Sequence, residues 1–403
     1  SSYPAVPAST QVWSTRSSYP AVPASTQVWS TRSSYPAVPA STQVWSTVQR
    51  RSFLTGSGAF AVGAYSTPVT RWLAVPADAD AAHTGTRRVG RQDLDNLWAA
   101  AAQAQRADSR HGGGDRAASL VTRLLHERAV PLLDGDYSDA VGRELRAGTA
   151  ELARVAGWAA LDMGQHDLAQ RHFNQALRMA KAGGSMNVGA HVMTNLALQT
   201  ILRGYPDEAV DMVQGAYDRA RHRAAPRVLA FVKLIEARAH ARLRDRRAAA
   251  TALAASEHLL ERADSTTDAE PEWIGYYTPA RMAADAVEIH RDLGLPDAAL
   301  RWDTRATPMS AADFTRSVGL RMTVLATAHL QKGDLDRALA DGRQAVTILQ
   351  GVRSARAGDY LRGAVRAMEP WRRHPGVTEL TRQAHQVILL STTGAPRLSA
   401  TAP

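Results

Sequence analysis

Arginine is the residue through which this chain is best equipped to do chemistry, and the chemistry it suggests is recognition of carboxylates. The sequence holds 48 Lys+Arg against 38 Asp+Glu, and its only lysines are Lys181, Lys233 and Lys332. A guanidinium presents a planar fork of donors that matches a carboxylate or phosphate two-to-two. The formal charge of +10 therefore suits acidic partners or nucleic acid. The arginines are spread along the chain and not packed into one run, so solvated helix faces are the plainer account.

Other reactive patterns are weaker. Cysteine is absent, which removes disulfides, thiolate metal sites and thiol nucleophiles. Thirteen histidines include no His-Glu-x-x-His, and His166 and His172 are not at one-turn spacing. His290 and His329 are single residues inside amphipathic stretches. His111-Gly112-Gly113-Gly114 has the form of a loop that offers backbone N–H groups to an oxyanion. It lacks the Gly-x-Ser-x-Gly elbow such a site needs, and it reads as a turn between helices. Gly56, Gly58 and Ala61 imitate a dinucleotide fingerprint without the preceding strand. Asp134, Asp136 and Asp139 crowd one loop without the twelve-residue calcium pattern. No nucleophile, base and orienting group can be named from spacing, so the expectation is a non-enzyme with no cofactor and no metal.

The elements that must position these residues are helices. From Arg91 onward apolar residues recur three and four apart, as in Leu94, Leu97, Trp98 and Ala101, or Leu120, Leu124 and Leu125, with no alternating strand pattern. Short polar breaks at His111–Asp115, Asp134–Asp136 and Gly183–Ser185 carry helix-stop and N-cap chemistry. No window has the apolar length of a membrane span.

A repeat runs through the array. Gly164–Ala169, Gly204–Ala209, Gly294–Ala299 and Gly333–Ala338 all read Gly-x-x-Asp-x-Ala, with a degenerate copy at Arg244–Ala249. Successive copies lie 40, 40, 50 and 39 residues apart, the long interval containing a polar insert from Ala263 to Pro271. Glycine ends one helix in a left-handed conformation. The aspartate three residues on is expected to cap the next helix, and the alanine lets the pair approach closely. Phe173 and Ala176 occupy packing positions downstream, and Gly157 and Ala197 the close-contact positions upstream. Trp273, Tyr276 and Tyr277, after the insert, are expected to pack a helix end.

The N-terminal 47 residues are different. SSYPAVPASTQVWSTR occurs twice and then a third time without its final arginine. Its prolines exclude helix and make a folded domain improbable. Residues 48–90 read as a linker containing Arg50-Arg51-Ser52-Phe53-Leu54 and ending in a short docking helix. An alternative takes the twin arginine as an export signal cleaved near Ala77 and Ala79. The helical array is assigned to 91–385, and 386–403 to a disordered tail.

The repeat resembles the tetratricopeptide repeat, over about residues 150 to 350, with longer units than usual. The fold expected is therefore all-α, a tetratricopeptide-like right-handed superhelical array of antiparallel helix pairs. Longer segments resemble the sensor region of actinomycete transcriptional regulators that join a Cro/repressor-type helix-turn-helix to such an array. These segments are Arg50–Leu54, Thr67–Leu73, Gly135–Leu145, Ala225–Ala230 and Phe314–Leu320. The resemblance implies cytoplasmic control of development or secondary metabolism. It implies contact with DNA only through a module absent from this chain.

In a tetratricopeptide array the first helix of each pair lines the groove. Counting back from the turns places there Arg154, Trp158, His191, Asn195, Arg203, Arg238, Arg242, Arg281, Glu288 and Arg291. The expected ligand is an acidic peptide or protein, or a small effector, held by carboxylate–guanidinium pairs and stacking on Trp158. Homodimerisation stays open. The readings compared are a cytoplasmic regulatory scaffold and an exported binding protein with the same array.

Overall fold

The computed structural model describes residues 66–77, 81–265 and 270–392. The tandem peptide, the Arg50–Leu54 motif, Ala79, part of the polar insert and the tail beyond 392 lie outside the described residues. Among the described residues the secondary structure is helical, apart from two isolated bridges that pin His83 to Tyr137 and Arg88 to Asp136.

The chain enters through α1 (Ser66–Ala74), α2 (Arg91–His111) and α3 (Asp115–Leu124). The last runs through a π turn into α4 (Val130–Leu133). Six hairpins follow: α5 (Asp139–Asp162) with α6 (His166–Ala182), α7 (Met186–Leu202) with α8 (Pro206–Ala220), and α9 (Pro226–Arg242) with α10 (Arg246–Ser265). Then come α11 (Pro279–Asp292) with α12 (Pro296–Ala306), α13 (Thr315–Gln331) with α14 (Leu335–Leu349), and α15 (Ala355–Ala367) with α16 (Pro375–Thr392).

The turn chemistry explains the hairpins. Gly164, Gly204, Gly294 and Gly333 have φ between 70° and 90°, and Arg244 takes φ 62° at the degenerate copy. In the first, second and fourth hairpins the carboxylate does not cap as expected. The N-cap positions are held by Gln165, Tyr205 and Leu295, and Asp167, Asp207 and Asp297 stand inside the first turn. There they face the positive end of the helix dipole. In the two others a different residue caps. Asp245 accepts from the Ala248 N–H at 2.9 Å, and Asp334 from the Arg337 N–H at 3.0 Å. The alanines behave as expected: Ala169, Ala209, Ala249, Ala299 and Ala338 are fully buried. A Cβ on Gly157 would stand 2.5 Å from the Phe173 ring, so that position admits only glycine at this helix separation.

First helices form one row, α5 touching α7, α7 touching α9, and so on through α11, α13 and α15. Second helices stack outside them. The row then returns on itself, because α13 packs on α2 and α15 on α5. At this seam the Arg353 N–H donates to the His111 carbonyl at 3.0 Å. A Cβ on Gly112 would sit 2.2 Å from the Arg353 carbonyl oxygen, and one on Gly113 2.3 Å from that of Ala159. The His111–Gly114 run is thus a helix-connecting turn whose glycines let backbones meet.

Helix α1 lies against α6 and α8 on the outside. Trp72 is 1% exposed and belongs to the main hydrophobic core. Its ring fills the slot over Gly189, where a Cβ would come within 2.2 Å of the indole nitrogen. Arg219 sits 5.4 Å from that ring and donates to the carbonyls of Leu73 and Val75.

Candidate functional site

A helix walled in on all sides cannot keep a solvated face, so polar side chains on the inner row must find partners within the protein. In α7 every residue from Val188 to Ile201 is buried. Helix α5 is buried nearly throughout its second half. The inner row meets this demand with guanidinium–carboxylate pairs, and three groups of them face the space inside the row.

The first is Arg154 with Glu151, one turn apart on α5. Arg154 donates through Nε at 2.9 Å and Nη2 at 2.6 Å to the two carboxylate oxygens, and also reaches Asn195 Oδ1 and Gln105 Oε1. Burial pushes the Glu151 carboxyl up. The Arg154 charge and bonds from His191 and Arg154 outweigh it and hold the group at about 2. His191 is buried beside the pair, stacks on Trp273 at 5.0 Å and lies 3.0 Å from the Tyr276 hydroxyl. Burial, reinforced by the Arg154 charge, lowers His191 to about 4.

The second group joins α9 to α11. Arg238 donates to Asp285 at 2.8 Å and Glu288 at 2.7 Å; Arg281 donates to the other Asp285 oxygen at 2.9 Å and to Ser317. Arg242 and Arg291 extend it through Asp292 and Glu288. Tyr360, on α15, donates to Glu288 at 2.6 Å. Burial raises the Glu288 carboxyl, but Arg238, Arg291 and Arg242 overcome it and bring the group to about 2.

The third group lies at the seam. Arg316, 3% exposed, reaches Asp108 at 2.6 Å and Asp162 at 2.9 Å, and Arg356 reaches Asp162 at 3.2 Å. The Gly113 N–H also donates to Asp162 at 3.0 Å. The glycine loop therefore does bind an anion, and the anion is this chain's own carboxylate. Burial raises Asp162, and the two guanidiniums lower it by more. Arg356 and Arg316 lie 4.9 and 5.9 Å from the centre of the Trp158 ring.

These groups bound a cavity of about 60 Å³. Of the residues expected to line a groove, Arg154, Trp158, Asn195, Arg238 and Arg281 meet there. His191 backs the wall. Glu288, Arg242 and Arg291 belong to the second ion-pair group without lining the cavity, and Arg203 is half-buried at the end of α7 away from it. The expected stacking face of Trp158 is already occupied by two guanidiniums. Trp273 and Tyr276, expected only to pack a helix end, pack on His191, and Tyr276 lines the cavity. Tyr277 is fully buried, its hydroxyl 2.7 Å from Ser256. Asp108, Asp162, Arg316, Arg356 and Tyr360 escaped the reading of the sequence. Their partners lie up to 208 residues away, and only Arg316 falls inside a segment singled out beforehand, Phe314–Leu320.

The site can bind and orient a polar ligand. Among the described residues no three His, Asp or Glu side chains are placed to hold a metal ion, and no helix is long and apolar enough to cross a membrane. No protein-family model matches the chain, and no curated protein is significantly similar to it.

Proposed function

We propose that this chain is a regulatory binding protein: a tetratricopeptide-like array whose inner cleft receives a small effector, with occupancy passed to a partner. The observation that carries this reading is the origin of the cleft walls. Gln105, Asp108 and Ser109 come from α2; Arg316, Ser317 and Arg356 come from α13 and α15. A bound molecule touches both sides of the seam, so its binding energy favours the closed form over an opened one. The resemblance of Thr67–Leu73, Gly135–Leu145, Ala225–Ala230 and Phe314–Leu320 to regulator sensor regions supports transcriptional control, with DNA contacted through a separate module.

The cleft size favours a small effector over an extended acidic peptide. A cavity of about 60 Å³ suits a small molecule and not an extended chain, and most of the carboxylates that would answer the arginines are already supplied from within. The exported alternative requires cleavage near Ala79. That cut would remove α1 and take Trp72 out of the core, so the cytoplasmic reading is preferred. Cell fractionation with mass measurement of the product decides between them; a chain beginning near residue 80 outside the cytoplasm would overturn the preference.

The cleft is tested by thermal unfolding in low-molecular-weight fractions of a cell extract. At least one fraction is expected to raise the midpoint by several degrees, and Ser109→Phe, which fills the cleft, should abolish that rise. Hydrogen exchange should slow at residues 105–113 and 353–356 in the same fraction. If no fraction stabilises the protein, the effector reading fails.

A further inference from the structure

The ion pairs of the inner row do not balance. Arg154 with Glu151 is neutral, and Arg316 and Arg356 with Asp108 and Asp162 are neutral. The group on α9 and α11 sets Arg238, Arg242, Arg281 and Arg291 against Asp285, Glu288 and Asp292. It is left with one guanidinium in excess.

Hydrogen bonding shows the same surplus. Both oxygens of Glu151, Asp162, Asp285 and Glu288 accept bonds; Asp108 accepts through Oδ2 and keeps one buried oxygen, Oδ1, without a partner. On the donor side, Arg281 uses Nε and Nη1, and Arg356 uses Nε alone. Among the described residues the Arg281 Nη2 and both terminal nitrogens of Arg356 make no hydrogen bond. Both residues line the cavity, with side chains 20% and 10% exposed. Their spare donors are therefore within reach of an incoming molecule. Val155, Leu198, Phe231 and Ile235 supply an apolar part of the wall, beside polar positions such as Gln105, Ser109, Thr194 and Asn195 and the paired carboxylates of Asp108 and Asp285.

We propose that the cleft binds a small organic monocarboxylate, its carboxylate received by Arg281 and Arg356 and its short hydrocarbon part by the apolar wall. This rests on the effector reading above and names the ligand class. One negative charge cancels the excess guanidinium. A dianion would leave an uncompensated charge in a poorly solvated space, and a neutral isostere would leave the positive one in place. Charge-assisted bonds to guanidinium are about twice as strong as neutral ones. The cavity limits the molecule to a few heavy atoms.

The experiment is a ligand-observed NMR titration at pH 7 with propionate, the isosteric propionamide and inorganic phosphate as probes. Propionate is expected to bind at least tenfold more tightly than either of the others. Arg281→Gln should weaken propionate about tenfold and leave propionamide unchanged. Asp285 keeps its bond from Arg238 in this variant, and an unchanged melting midpoint checks the fold. Propionamide or phosphate binding as well as propionate overturns the proposal, as does failure of all three; these wild-type comparisons decide even if the variant unfolds. If the probes fail while an extract fraction still stabilises wild type and not Ser109→Phe, the ligand class is wrong and the cleft stands. If both fail, so does the effector reading.

Discussion

At the scale of single residues, the left-handed turn positions give the cleanest test of why this sequence folds as it does. Gly204 has φ 90° and nothing within 4 Å of where a Cβ would stand. Gly204→Ala therefore changes backbone strain alone and should destabilise by about 1–2 kcal/mol, measured by denaturant unfolding. Arg244 holds the equivalent turn at φ 62° without that freedom. Arg244→Gly removes the strain and adds roughly 0.5–1 kcal/mol of unfolded-chain entropy, so the net should lie between no change and a gain of about 1 kcal/mol. Opposite signs at two positions of one repeat would tie the motif to dihedral angle and not to contacts. Gly189→Ala belongs to another class, because its Cβ would meet the Trp72 ring. It should cost about 1–3 kcal/mol as overpacking, read by the same method. These turn glycines and the fully buried alanines were legible in the sequence because their cause is local. The capping role of Asp167, Asp207 and Asp297 was misjudged by two positions, since helix start depends on where the chain leaves the left-handed turn.

At the scale of helices, stability is linked to pH through groups buried on α5, α6, α7 and α11. His191 on α7 is lowered to about 4 by burial and Arg154, and His172 on α6 to about 3 by burial, Arg171 and His126. The unfolded chain takes up these protons near 6.5. Stability from keeping both rings neutral is thus complete above that pH and declines as pH falls from about 6.5 toward 4. Glu151 and Glu288, held at about 2, act in a lower window. Their contribution is present above about 4.5 and lost as pH falls toward 2. Unfolding followed from pH 8 to 3 should therefore show two successive losses. His191→Gln should remove much of the first; a flat profile between 7 and 5 would exclude this account. The burial of α7 could not be read from its sequence, where Val188 to Ile201 is apolar with interspersed polar residues. Only packing against α5, α6, α8 and α9 shows that its polar groups have no water to face.

At the scale of the whole molecule, the feature least visible in the sequence is the contact between the first and last parts of the inner row. Arg316, Asp108 and Asp162 carry no periodic signal, and their partnership spans 154 and 208 residues. Each alone reads as a solvated charge. Arg316→Ala leaves two buried carboxylates without their shared cation and should cost about 3–5 kcal/mol. Hydrogen exchange in this variant should accelerate at 105–113 and 353–356 before the middle helices respond. Uniform acceleration would show that the seam is no separate unit. Closure also bears on cooperativity, since open arrays fray from their terminal repeats. Wild type should unfold in one calorimetric transition and Arg316→Ala in a broadened or split one.

The same closure sets when the cleft comes into existence during synthesis. Hairpins such as α5–α6 can form as they emerge, because their contacts are local. Arg356 and Tyr360, by contrast, leave the ribosome some 250 residues after Gln105. A growing chain can own most of its helices and still lack the cleft. Under the effector reading proposed above, a translation product that stops before Tyr360 could bind nothing in the cleft even where it is folded.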